Sequence, residues 1–87
     1  MKRNNREGLQ AIPGVGPRLA YKFDKYLGMD RPSCFKNEDP EKLYLKLERK
    51  MGGHVDRCVL YVLRECVYYA NHKVHDPRKL KWWNWKD

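Results

Sequence analysis

The sequence predicts an all-α fold of four to five short helices in a single domain, residues 1–87. Three observations carry that prediction. Apolar residues recur at three- and four-residue intervals, Gly and Pro divide the chain into short segments, and no stretch keeps a strand-like alternation. At 87 residues the chain is of single-domain size, and it buries only a little over about 60% of its unfolded surface. With 41% hydrophobic and 13% aromatic residues, it has the composition of a folded protein.

The elements follow in order. Residues 2–6 are polar and expected to fray. Residues 7–12 suit a short helix with Leu9 and Ile12 on one face. Pro13-Gly14-Val15-Gly16-Pro17 ends it, because Pro13 lacks an amide donor and the glycines admit backbone angles that other residues avoid. Pro17 then suits the first turn of a helix over 17–27, which Gly28 stops. Leu19, Phe23 and Tyr26 or Leu27 form its inner face, while Arg18, Lys22 and Lys25 share the outer one.

Residues 29–38 read as a connector with one turn around 33–35. Asp39-Pro40 marks a helix start, Leu43, Leu47 and Met51 stack at intervals of four beside Tyr44, and Gly52-Gly53 is the stop. The longest periodic segment runs from 55 to about 72. Val55, Cys58, Val59, Val62, Cys66, Val67 and Ala70 make a wide apolar face, and Arg57, Tyr61, Arg64, Glu65 and Tyr68 a narrow polar strip. Asp76-Pro77 opens a last short helix through Lys81, and Trp82-Trp83-Asn84-Trp85 closes the chain.

Nineteen Lys and Arg against eleven Asp and Glu give a net charge of +8, which favours an anionic partner. No N-terminal apolar stretch suits a signal peptide, and no run of about eighteen uncharged apolar residues suits a membrane span. An odd count of three cysteines without a secretion signal predicts reduced thiols and a cytoplasmic location.

The bend at 12–17 is the segment with chemical content. A bulky side chain holds an anion away from the backbone, and Gly14 and Gly16 remove that bulk. The first amides of the following helix have no intrahelical acceptors and carry the positive end of the helix dipole, which suits a phosphate oxygen. Arg18, Lys22 and Lys25 add positive charge on the same helix.

The segment 9–20, with its apolar frame, Gly-Val-Gly bend and small Ala20 four residues on, resembles the helix-hairpin-helix motif of DNA repair and replication proteins. That resemblance implies phosphate contacts by the amides of Gly14, Gly16, Arg18 and Leu19, with Val15 between the two glycines also counted among the phosphate-binding residues. It also implies a monovalent cation, K+ or Na+, held by the carbonyls of Gln10, Ile12 and Val15. The turn Met51-Gly52-Gly53-His54-Val55 lacks Gly-x-Gly and reads as a degenerate second copy, so the implied arrangement is a tandem helix-hairpin-helix (SAM-like) domain with a Trp-rich tail. Over nearly its whole length the chain also resembles the pathogenicity-locus proteins, small bacterial helix-hairpin-helix proteins sometimes labelled mitomycin resistance proteins. The hairpin, the stretch 52–62 and the tail 80–87 carry that likeness.

Other constellations point elsewhere or nowhere. Cys58 and Cys66, eight apart, read as small buried hydrophobes, with Cys34 in the connector. A nucleophilic cysteine needs a lowered thiol pKa and a placed base, and only His54 lies near Cys58 in sequence. His54, His72, His75 and the cysteines lack zinc-ligand spacing. Glu38, Asp39 and Glu41 flank a helix start, where they serve its dipole. Trp82 and Trp85 suit packing, while Trp83 is open to packing, base stacking or a partner chain; Tyr61, Arg64 and Tyr68 form an aromatic-basic stripe.

The function expected from the sequence is therefore a non-enzymatic module that binds double-stranded DNA through its sugar-phosphate backbone without sequence preference, in DNA repair or damage resistance. The alternative is a protein-interaction adaptor anchored by the tryptophan tail. Neither needs a membrane or an organic cofactor.

Overall fold

A computed structural model describes residues 8–87. The fraying expected at 2–6 lies outside them. Three α-helices form the frame: α1 (Pro17–Leu27), α2 (Pro40–Met51) and α3 (Arg57–Asn71). Four 3-10 turns, Leu9–Ala11, Pro32–Phe35, Pro77–Leu80 and Trp82–Trp85, complete the described chain, and no strand occurs among the described residues. The fold is thus all-α. Among the described residues, the 3-10 turns Leu9–Ala11 and Pro77–Leu80 stand where helices were expected at 7–12 and 76–81, and three α-helices are present where four to five were expected. Each segment is too short to repay helix nucleation, and Pro13 closes the first.

Local chemistry sets the boundaries. Gly28 and Gly52 adopt left-handed conformations at the ends of α1 and α2. Asp39 accepts a hydrogen bond from the Glu41 amide at the start of α2. Asp56 does the same for the Cys58 amide, which is why α3 begins at Arg57 and not at Val55.

The core lies between α3 and the other elements. Phe23, Phe35, Leu47, Leu60 and Leu63 are fully enclosed, with the Phe23 and Phe35 rings edge to face at 5.8 Å. Tyr44, on α2, donates its hydroxyl to the Val55 carbonyl and so ties the α2–α3 turn to the core. Leu9, Ile12 and Val15 are buried, so the N-terminal bend is part of the packed body.

Three expectations are corrected here. Cys58 is exposed while Cys66 is buried, because eight residues rotate about 80° around a helix and do not restore the same face. Met51, in the last turn of α2, is exposed and not stacked on Leu47. Glu65, expected on the polar strip, has no exposed surface at all. The tail explains the last difference, for residues 82–85 pack against α3 and give it a second covered side.

That tail is clasped. Arg64 donates to the Trp85 carbonyl at 2.7 Å, to Glu41 at 2.6 Å and to Asp87 at 2.8 Å, and Arg57 also donates to Asp87 at 2.9 Å. Arg57 first, and Arg64 with it, hold the Asp87 carboxyl below the usual carboxylate range. Charged hydrogen bonds are worth roughly 1.5–3 kcal/mol each where solvent is limited, and the Arg64 side chain is 19% exposed. Arg64→Met is expected to cost about 2 kcal/mol and to red-shift the tryptophan emission, read by urea titration followed by fluorescence. An unchanged midpoint and emission would mean that the clasp contributes nothing.

Candidate nucleic-acid interface

The bend between the Leu9–Ala11 turn and α1 is held by one internal hydrogen bond, from the Val15 amide to the Ile12 carbonyl at 3.1 Å. Val15 therefore has its amide engaged and its side chain buried, and it offers neither to a ligand. The amides of Gly14, Gly16, Arg18 and Leu19 donate to no acceptor among the described residues. Ala20 is the first α1 residue whose amide is paired, to the Gly16 carbonyl at 3.0 Å. The carbonyls of Gln10 and Val15 take no backbone hydrogen bond among the described residues, whereas Ile12 spends one lone pair on Val15. Three neutral carbonyls in one bend fit the donor chemistry of a monovalent cation.

The two glycines differ in kind. Gly14 has a φ of +90°, and a Cβ there would lie 3.0 Å from Trp82 Cδ1 and 3.3 Å from Glu65 Oε1. The protein's own tail thus packs on Gly14. Gly16, at φ −89° and ψ −178°, has an ordinary extended backbone, and a Cβ there would meet nothing within 4 Å. The fold requires glycine at 14 and gives no internal reason for glycine at 16.

The start of α1 also differs from those of the other two α-helices. Asp39 and Asp56 cap α2 and α3, and Asp76 caps the Pro77–Leu80 turn through the Arg78 amide at 2.9 Å. At α1 the capping residue is Gly16, no side chain accepts from the first amides, and no acidic residue stands in the first turn. No side chain among the described residues neutralises its positive end.

Around it, Arg18 is exposed and Lys22 half-buried. Lys25 is exposed, and its Nζ lies 5.6 Å from the Tyr21 ring centre and 5.5 Å from that of Tyr26. The side chain of Leu19 is half-buried, so only its amide faces the question of a ligand. The second turn is unlike the first, since the Gly52 and Gly53 amides both donate to the Glu48 carbonyl, at 3.0 Å and 3.1 Å. Those donors are used up in closing α2.

Sequence reasoning missed Glu65. It sits behind Gly14, both its oxygens lack a hydrogen-bond partner, and burial pushes its carboxyl up to about 8. No sequence signal marks it, because its neighbour Trp82 is brought there by the tail. Cys58 and Cys66 carry no sign of activation. Desolvation, then Asp56, raises the Cys58 thiol, and burial raises that of Cys66 well above its ordinary value. The His54 ring faces the Glu48 carboxylate, with Nδ1 3.8 Å from Oε2. Among the described residues no group of three His, Cys, Asp or Glu side chains is placed to hold a metal ion, and no helix is long and apolar enough to cross a membrane. Trp82 and Trp85 are half-buried and Trp83 is 50% exposed.

Comparison with curated proteins and with solved structures returned no match. The model of one family, described as Pathogenicity locus, matches residues 2–87, and the chain belongs to that family.

Proposed function

We propose that this protein binds double-stranded DNA without sequence preference, using the bend and the start of α1 as a helix-hairpin-helix that grips the sugar-phosphate backbone. The observation that carries the reading is the uncapped start of α1. The amides of Gly16, Arg18 and Leu19 have no acceptor among the described residues, and the missing side chain of Gly16 leaves open space beside them. A phosphate oxygen supplies the missing acceptor and meets the helix dipole. Arg18 and Lys22 add charge, and the carbonyls of Gln10, Ile12 and Val15 would hold a monovalent cation, which would add positive charge near the phosphate. Such contacts position a duplex and carry no base information. With its glycine amides engaged, the turn at Gly52-Gly53 is structural, and one hairpin binds weakly.

The test is fluorescence anisotropy on labelled duplexes of unrelated sequence. About three neutralised phosphates give a log–log salt slope of about −3, with equal affinities across sequences. Absence of binding at about 50 mM salt, a concentration at which phosphate contacts are strong, and at high micromolar protein would overturn the proposal. Half-exposed Trp83 favours a second reading, an adaptor that docks a protein partner. In that case Trp83→Ala abolishes partner capture and leaves any duplex binding untouched.

A further inference from the structure

A cleft of about 390 Å3 lies beside the tail, on the α3 face next to the one that carries Glu65. It is lined by Tyr68 and Trp85, whose rings lie against each other with centres 5.7 Å apart, with Val67 and Pro40 adding aliphatic surface and Lys79 and Arg64 adding charge. The volume falls within the range of about 300–1,000 Å3 usual for small-ligand sites.

Both aromatic walls are fixed by their polar atoms. The Trp85 indole N–H donates to the Lys79 carbonyl at 2.8 Å, and the Trp85 carbonyl accepts from Arg64 at 2.7 Å. The Tyr68 hydroxyl accepts from the Asp76 amide at 2.7 Å, and the His72 ring lies against Tyr68 at 4.5 Å. These groups have little hydrogen bonding left to offer, so the cleft presents rigid ring and aliphatic surface. Its charge is positive. Arg64 is matched by Glu41 and Asp87, whereas Lys79 forms no salt bridge among the described residues, feels the Asp76 carboxylate only at longer range, and rests 5.5 Å from the Tyr68 ring centre.

A flat apolar group attached to an anion matches this surface. The chain's +8 charge favours a polyanion over a lone phosphate. We infer that the cleft takes one unpaired base of a nucleic-acid strand, with the neighbouring phosphate at Lys79. Stacking on a fixed aromatic wall tolerates any base. This site is separate from the hairpin and goes beyond duplex binding.

The test compares a short oligothymidylate with an abasic strand of equal length by anisotropy. One seated base is expected to give about ten-fold tighter binding than the abasic strand. Val67→Phe, which fills the cleft, is expected to remove that preference. Lys79→Glu is expected to weaken both strands several-fold, with thermal melts confirming that each variant folds. Thymidine monophosphate separates a free nucleotide from a strand, and it should bind at least ten-fold more weakly than the oligomer.

Equal affinity for base-bearing and abasic strands, a preference that survives Val67→Phe, or mononucleotide binding as tight as the strand's would each overturn the inference. Gly16→Asp keeps the two sites apart, for it should abolish duplex binding and preserve the preference for the base-bearing strand.

Discussion

Gly16→Asp is expected to leave the fold as stable as before, or more so, and to weaken duplex binding at least ten-fold. Position 16 has an ordinary extended backbone and open space around a Cβ, so a side chain fits without strain. Aspartate is a good N-cap, better than glycine by a few tenths of a kcal/mol. Its carboxylate would reach the Leu19 or Arg18 amide and neutralise the helix end. It then occupies the donors proposed for phosphate and places a negative charge there.

Gly14→Ala is expected to do the opposite to the fold. Alanine at φ +90° is strained, and its Cβ would press on Trp82 at 3.0 Å and Glu65 at 3.3 Å. We expect a loss of about 2–4 kcal/mol, from left-handed strain plus a displaced indole. Circular-dichroism melts and anisotropy on both variants check the pair. If Gly16→Asp binds duplex as tightly as the parent, the α1 amides are not the contact.

Replacing Glu65 by glutamine is expected to raise stability by about 3 kcal/mol at pH 7 and to change it little at pH 4. Burial holds this carboxyl at about 8 against an ordinary 4.5, and no positive group offsets the cost. The folded state therefore binds the Glu65 proton more tightly than the unfolded state does. Its contribution is fully present below about pH 4.5 and is lost as the pH rises to about 8. At about 1.4 kcal/mol per pH unit, the whole window spans at most about 5 kcal/mol.

Asp56, Asp76 and Asp87 run the other way. Their carboxyls are lowered, by the Cys58 amide, by Arg78 and by Arg57 respectively, so their contributions vanish as the pH falls through those lowered values. The parent should be most stable in mildly acidic solution, and Glu65→Gln should flatten the alkaline side only. Urea midpoints between pH 4 and 9 test this. Parallel pH profiles for parent and variant would mean that Glu65 keeps its charge when folded.

Much of the frame was readable because punctuation and packing agree. Pro17 and Gly28 bound α1, Asp39-Pro40 and Gly52 bound α2, and the buried Phe23, Leu27, Leu43 and Leu47 sit where a 3.6-residue period puts them. The free amides at the start of α1 were readable too, but the cap at Asp56 was not, because the helix there was read from Val55. The two misreadings on α3 have separate causes. Cys58 stays exposed because eight residues do not return to the same helix face, and Glu65 is buried because the tail covers a second face that a helical wheel leaves open. The contact of Trp82 with Gly14 joins residues far apart in sequence, and no local pattern encodes it. Gly14 looked like a ligand-approach glycine, and the fold itself demands it through its positive φ and its neighbours. The cleft at Tyr68 and Trp85 depends on the Arg64 clasp in the same way.

The most direct measurement is an amide-resolved NMR titration of the 15N-labelled protein with a short duplex. Saturating, salt-reversible shifts should appear at Gly16, Arg18 and Leu19, with Val15, Gly52 and Gly53 nearly still. Duplex binding that moves other amides and leaves those three in place would contradict the account.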